Sequence, residues 1–525
     1  MLCGQSAPRE ARALEQNRHP GYAVAQPHPS LAGRAALAVL LMFGFYVLAA
    51  GVVLALVYLP YAEWHYADRL DLRLLVFSLV GALAVLSGVA PRFDRFRAPG
   101  PRLARQEQPR LFEIVDQIAK ATDQRTPRDV FLVPELNAWV AQRGGIVGIG
   151  SRRVMGLGLP LLEALRISEL RAVIAHEFGH FHGGDTALGP WLYRTRGAIE
   201  RTVANLTGRH SWVRAPFVWY GNAFLRITHA ISRRQELAAD GLAARVAGAR
   251  ALASGLKRIH ASALLFHSFW TGEVAPALNS GFHPPIGPGF AQFLAGADSR
   301  GQTEKILAQE LASRKTNPYD THPPLNDRLA ALQTDDQEVA DPHDAAAVTL
   351  LERTDDLEAQ LVHSIMTEAG ARNLRPTTWE ELSTAFWVPQ WELLVRSFQD
   401  RLQGLTPSSL AVFAHHPAKP AIHLQLTPDM AHANANHVAK AQAVLGAALT
   451  VLLHHRGWQV QAPPGQEVRC SCGSLEMRPF TLLTDLLGGS VSSDAWQATW
   501  SATGAAGEDL GVFAASLKPP QWASS

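Results

Sequence analysis

At 525 residues and a formal net charge of +2, the chain is too long for one compact core and too nearly neutral for a dedicated nucleic-acid binder. Its three cysteines, Cys3, Cys470 and Cys472, contain no C-x-x-C pair and cannot build a disulfide framework, which suits a reducing compartment. Two or three domains are expected.

Residues 1–34, rich in Pro, Arg and Gln, read as a flexible cytoplasmic tail. Ala35 to Leu59 is a run of 25 residues without a charge, about 37 Å long as a helix and enough to cross a bilayer. Leu74 to Ala90 adds 17 uncharged residues, near the lower limit for a span. The connection "PYAEWHYADRLDLR" reads as a loop, with Tyr61, Trp64 and Tyr66 at the membrane interface. Arginines crowd both outer flanks: Arg9, Arg12, Arg18 and Arg34 before the first run, and Arg92, Arg95, Arg97, Arg102 and Arg105 after the second. Only Arg69 and Arg73 lie between. The positive-inside rule therefore puts both ends, and everything after residue 91, in the cytoplasm.

The stretch "ISELRAVIAHEFGHFHGGD" carries chemistry. Leu170, Val173 and Ile174 recur at helical spacing, Ser168 is the expected N-cap, Glu169 suits the positive end of the helix dipole, and Gly183–Gly184 is the expected stop. On such a helix His176 and His180 lie one turn apart on one face, so both imidazoles can reach one zinc ion. Glu177 is rotated from His176 by about 100° and is placed to take a proton from water, not to ligate. Thr186 stands where the H-E-x-x-H-x-x-G-x-x-H pattern needs its third histidine, which excludes that class. The remaining common source of a third ligand is a glutamate on a downstream helix. "AISRRQELAADGLAARVAG" supplies it: Glu236 would ligate, and Asp240, one turn on, would accept the free ring N–H of a zinc histidine. Small residues beside them permit close helix packing.

These motifs, with "ELNAWV" upstream and "THPPLNDRL" downstream, resemble the membrane zinc metallopeptidases of the HtpX and CAAX-prenyl-protease family over about residues 105–335. The resemblance implies a mainly helical gluzincin domain with a small sheet, one zinc per chain, and cleavage of membrane-associated or misfolded polypeptides. It implies His176, His180 and Glu236 as zinc ligands, Glu177 as base and Asp240 behind a ligand. Asn137 and Ala138 would lead into the substrate-side strand, and "RRVMGLGLPLLEAL" resembles the edge strand and the helix after it. Such an edge would bind an extended peptide by strand addition. Asp185 matches an acidic residue without an assigned role. His322, at the entrance of the "PPLNDRLAAL" helix, would stabilise the oxyanion or occupy the open zinc position at rest, and Arg328 would anchor that segment through an ion pair. The second "HPP", at His283, has Gly and Pro where a helix should continue and reads as a loop.

The chain departs from the HtpX type between its two metal motifs. "SWVRAPFVWYGNAFLRITHAI" carries Arg214 and Arg226 and reads as amphipathic or membrane-skimming. The prenyl-processing branch of the family has many more spans, so the resemblance implies general quality control at a cell (inner) membrane rather than prenyl-protein processing. After a linker near 335–343, "AIHLQLT" and "EVRCSCGSLEMRPF" alternate like strands around a buried helix near 441–455.

The expected fold class is mainly α with a small β-sheet: a two-helix transmembrane hairpin at 35–90, a zinc metallopeptidase domain at 100–335, and an additional C-terminal α+β module at 340–525. Expected partners are polypeptide substrates, unfolded or membrane proteins, and the lipid bilayer, with no nucleic acid. The other reading of the same residues is a catalytically latent zinc-fold membrane scaffold or chaperone-like binder. The presence of every residue needed for catalysis counts against it.

Overall fold

The computed structural model describes residues 29–90, 96–143, 151–181, 189–206, 211–312, 323–333, 344–366, 370 and 373–518. The expected tail before residue 29, Asp185 and His322 lie outside them. The described chain is mainly helical with three small sheets. It divides into two compact units that interleave in sequence: residues up to Ala261 with Lys305–Leu357, and Ser262–Glu304 with Glu358 onward. Packing thus divides the chain elsewhere than a cut near 335–340 would.

The first unit opens with α1 (Pro29–Ala67) and α2 (Leu72–Val89), which pack on each other. Ala36–Ala67 and Leu72–Val89 are long and apolar enough to cross a membrane by length and composition. Their outward side chains are apolar: Leu40, Phe43, Val47 and Leu54 on α1, and Leu79 and Leu83 on α2, are all exposed. The expected loop from Pro60 is mostly helix, because α1 continues to Ala67. Tyr61 stacks on His65 at 5.6 Å and meets Trp64 at 6.3 Å, the i,i+4 and i,i+3 contacts that sustain a helix beyond its proline.

Two later helices pack along this hairpin. These are α6 (Gly189–Asn205) and the first half of α7 (Ser211–Ala247). Ala198, Ile199, Leu206, Val213, Phe217 and Phe224 share one core with Met42, Phe45, Ala82 and Val85. Trp212 stacks on Phe77 at 5.7 Å, Tyr220 donates to the Leu41 carbonyl at 2.7 Å, and Asn205 donates to Ala84 and Ser87. The interval read as membrane-skimming is therefore a helix seated on the hairpin, continuous with the segment that carries Glu236. Val213, Phe217 and Phe224 face the hairpin while Arg214, Trp219 and Arg226 are exposed, and the two arginines keep its average hydropathy low.

The metal motif lies between the sheet and α7. The sheet comprises β1 (Arg102–Leu103), β2 (Asp129–Val133), β3 (Ala138–Arg143) and β4 (Arg152–Gly158), in the order β1-β2-β4-β3. β2 and β4 run parallel, and β3 pairs antiparallel with β4. The edges are thus the two-residue β1 and the longer β3. The stretch expected at the edge, Arg152–Gly158, is interior, and its run of buried residues from Val154 to Gly158 is the pattern of a strand covered on both faces. Opposite Gly156 sits Trp139, and a Cβ at Gly156 would lie 2.4 Å from the indole, so glycine is what lets that ring lie flat on β4.

In the second unit the apolar helix Ala435–His455 is long enough to span a membrane, yet its buried face from Ala441 to Leu453 forms the core with Trp458, Leu486, Trp496 and Trp500. β7 (Gln459–Gln461), β8 (Arg469–Cys472) and β9 (Leu475–Met477) form an antiparallel sheet. Cys470 is buried and Cys472, where β8 ends, is exposed. "AIHLQLT" is no strand: Pro420 opens a helical turn over Lys419–His423 that buries Ala421 and Leu424 at i,i+3 spacing. Nor is "GFHPPIGPGF" a loop. Phe282–His283 pairs with Arg375–Pro376, and Ile286–Ala295 is helical. Pro288 lies in its first turn, where no intrahelical N–H is needed, and the Glu358 carboxylate accepts the Ile286 and Gly287 N–H groups.

Glu273 gives this unit a pH signature. Burial pushes its carboxyl up to about 7, against one hydrogen bond from the Gly465 N–H at 3.1 Å. A carboxyl whose folded pKa lies above its unfolded one costs stability as it ionises. Stability is expected to fall as pH rises from about 4.5 to about 7, by on the order of 2–3 kcal/mol. Glu273→Gln, which can still accept from Gly465, is expected to flatten that slope in denaturant titrations at pH 5 and 8. An unchanged slope refutes the assignment.

Candidate metal centre

The helix α5 (Ile167–Gly179) carries the H-E-x-x-H motif. It starts two residues earlier than expected, with Arg166 in place of Ser168 at its N-cap. The Glu169 carboxylate accepts the Arg166 N–H at 2.8 Å, while Asp344 accepts both the Ser168 N–H (3.0 Å) and its hydroxyl (2.6 Å). Ser168 cannot serve as the cap because its hydroxyl is spent on Asp344. That residue lies 176 positions away, and no local signal announces it. Glu169 is buried and also accepts from Ser254 at 2.5 Å and Arg258 at 2.8 Å, both on α8 (Ala249–Phe269). The helix ends at Gly179, with His180 at its C-cap, before the expected Gly–Gly stop, which lies outside the described residues.

Across α5 runs α7, which contributes Glu236 and Asp240. One donor atom from each of His176, His180 and Glu236 lies within 4.8 Å of the other two, the one such group among the described residues. His176 Nε2 is 3.4 Å from Glu236 Oε2, and His180 Nε2 is 3.6 Å from Glu236 Oε1. Two ligands, each about 2.0–2.2 Å from one tetrahedral ion, stand roughly 3.3–3.5 Å apart, so the donor set and its spacing fit zinc.

Behind this group the remaining polar atoms are paired. Asp240, 1 % exposed, sits 2.9 Å from His176 Nδ1, which leaves Nε2 toward Glu236. Arg328, on α9 (Leu325–Leu332), donates to both Asp240 oxygens, Nε to Oδ2 at 2.8 Å and Nη2 to Oδ1 at 2.6 Å. Its Nη2 also lies 3.8 Å from Glu236 Oε2. Burial alone would lower the His176 pKa, but its bonds to Asp240 and Glu236 and the nearby Glu177 charge push it up to about 9. Burial would raise Asp240, and the Arg328 guanidinium with His176 holds it below the usual carboxylate range. Burial opposes the charge on Arg328 too, yet Asp240 raises its pKa.

The sequence-expected residues thus separate by place. His176, His180 and Glu236 converge, and Asp240 and Arg328 back them. Glu177 is half-buried beside His176. Asn137 precedes the edge strand, its carbonyl accepting the Gly158 N–H at 2.9 Å, and Ala138 opens that strand, which packs against α5. Two residues were missed: Asp344, which with the expected Glu169 pins the helix start, and Gly179. A Cβ at Gly179 would lie 2.8 Å from Ala239 Cα, so glycine sets the approach of α5 to α7. The glycine inside the motif itself was the available signal. Gly179→Ala is expected to cost about 1–3 kcal/mol and weaken metal binding. Gly301→Ala, with open space at its Cβ, should be neutral or stabilising by about 0.5–1 kcal/mol. Thermal melts that rank the two variants the other way would disprove the packing argument.

Residues 105–336 match peptidase family M48. Protease HtpX of Chromohalobacter salexigens is 26% identical over 227 residues, covering 38% of this chain and 65% of that protein. Protease HtpX of Alcanivorax borkumensis is 28% identical over 225 residues with the same coverage, and that of Acinetobacter baylyi 23% over 314 residues, or 54% and 93%. The chain therefore spans just under two thirds of the first two relatives and most of the third. No solved structure matches it. Residues 105–336, which hold His176, His180 and Glu236, are thus similar to peptidase family M48 and, within it, to Protease HtpX.

Proposed function

We propose that this chain is a membrane-anchored zinc endopeptidase that hydrolyses membrane-associated or misfolded polypeptides on the cytoplasmic side. The convergence of two imidazoles and one carboxylate from α5 and α7 carries the reading. His176, His180 and Glu236 would hold one zinc ion per chain. When bound, zinc supplies a Lewis acid for the scissile carbonyl and for water.

The chain's own residues do the rest. Glu177 would take the proton from water and deliver it to the leaving amine, as a general base and then a general acid. Asp240 fixes the His176 tautomer, and Arg328 keeps Asp240 ionised and in place. The edge strand β3, which packs against α5, offers unpaired backbone groups to an extended substrate, with Asn137 and Ala138 at its start. For His322 we retain the oxyanion or resting-ligand role implied by the resemblance. The apolar α1 and α2 would anchor the enzyme, and the arginines flanking them favour cytoplasmic termini.

Cleavage of an unfolded protein by detergent-purified chain should stop with a chelator and return with zinc. Glu236→Ala should lower zinc affinity at least 10-fold and lose cleavage with it. Full zinc occupancy in Glu236→Ala would remove Glu236 from the ligand set, and cleavage that survives the chelator would end the zinc reading.

A further inference from the structure

A cleft of about 270 Å³ is lined wholly by residues of the second unit, and none of them belongs to the metal centre. Its charged wall is Arg469, at the start of β8, whose Nε–H is buried and has no hydrogen-bond partner. Among the described residues, no carboxylate lies within ion-pair distance of this guanidinium. In the first unit, by contrast, the buried Arg328 guanidinium is held by Asp240. An arginine fork left open toward a cleft is a ready receptor for a planar anion.

The other walls narrow the choice of anion. Gln292, Gln461 and Gln466 supply carboxamides, each able to donate to a carbonyl and accept from an amide N–H. Trp379 gives an apolar floor, and its Nε1–H is already used on the Pro285 carbonyl at 2.8 Å. Glu380 also lines the cleft and disfavours a dianion such as phosphate more than a monoanion. Ser383 begins a π-helical turn over Ser383–Trp387, and its hydroxyl accepts the Ala462 N–H at 2.9 Å, fixing the wall that follows β7. Such turns recur at functional sites.

We infer that this cleft binds the C-terminal carboxylate of a polypeptide, with Arg469 on the carboxylate and the glutamine carboxamides on the last peptide groups. The assignment does not depend on the peptidase reading, although each peptide-bond cleavage would create one such chain end.

The test uses full-length protein in detergent with zinc bound, and fluorescein-labelled Gly-Ala-Ala ending in a free carboxylate or in a carboxamide. Anisotropy should show the acid binding at least 10-fold tighter than the amide. Arg469→Gln should abolish that preference while zinc content and cleavage of an unfolded protein stay as in the parent, which separates this site from the metal centre. Arg469→Lys, which keeps the charge without the fork, should retain part of it. Equal binding of acid and amide, or a preference that survives Arg469→Gln, overturns the inference. Competition by acetate as strong as by unlabelled tripeptide acid would assign the cleft to free small acids and overturn the chain-end assignment. Displacement by inorganic phosphate alone would overturn the carboxylate.

Discussion

Glu177→Ala is expected to leave the zinc content of the purified protein unchanged and to lower kcat on an unfolded protein on the order of 10²–10⁴-fold, the usual worth of a positioned general acid–base. The expectation rests on helix geometry. His176 and His180 share a face of α5 and meet Glu236, whereas Glu177 is turned about 100° from His176 and lies outside the donor group. Removing Glu177 should therefore spare the ligands and take away the proton carrier. Zinc by atomic absorption and kcat on one sample decide the matter. Lost zinc would make Glu177 a ligand, and retained turnover would move the base elsewhere. Zinc bound with no turnover in the parent protein as well would favour the latent scaffold.

Arg328→Met is expected to do the largest damage to stability. It leaves Asp240, 1 % exposed, without the two bonds at 2.8 and 2.6 Å that hold it ionised. Breaking one side of a buried ion pair costs about 3–5 kcal/mol, which lowers Tm on the order of 10 °C in a unit of this size. Zinc affinity should drop about 10–100-fold, because His176 loses its oriented partner. Arg328→Lys should recover only part, since an ammonium cannot bridge both oxygens. Asp240→Asn combined with Arg328→Met should melt higher than Arg328→Met alone, because no uncompensated charge is left. A melting temperature within 2 °C of the parent for Arg328→Met would show that the pair contributes little.

Much of the metal centre was legible because its parts obey local rules. The i,i+4 spacing of His176 and His180 and of Glu236 and Asp240 fixes which side chains share a helix face, whatever the helices pack against. The reading failed where a distant partner overrode a local preference. Ser168 looked like a cap until Asp344 took its hydroxyl. Gly and Pro after His283 looked like a loop until Glu358 satisfied the first N–H groups of a helix. Arg152–Gly158 looked like an edge because strand order is not written in any one strand.

Residue type and period alone give the histidines and carboxylates of the candidate site, their helical spacing, the place of Glu177 beside them and two apolar helices long enough to span a membrane. Only the tertiary structure decided that Glu236 arrives on the same helix that packs against the hairpin, that Asp344 and Glu169 pin the motif helix, and that β3 is the exposed edge. It also decided that, among the described residues, no acid pairs with Arg469. These are long-range pairings, chosen by which buried polar group finds a partner and which backbones can approach closely, and no stretch of chain records them alone.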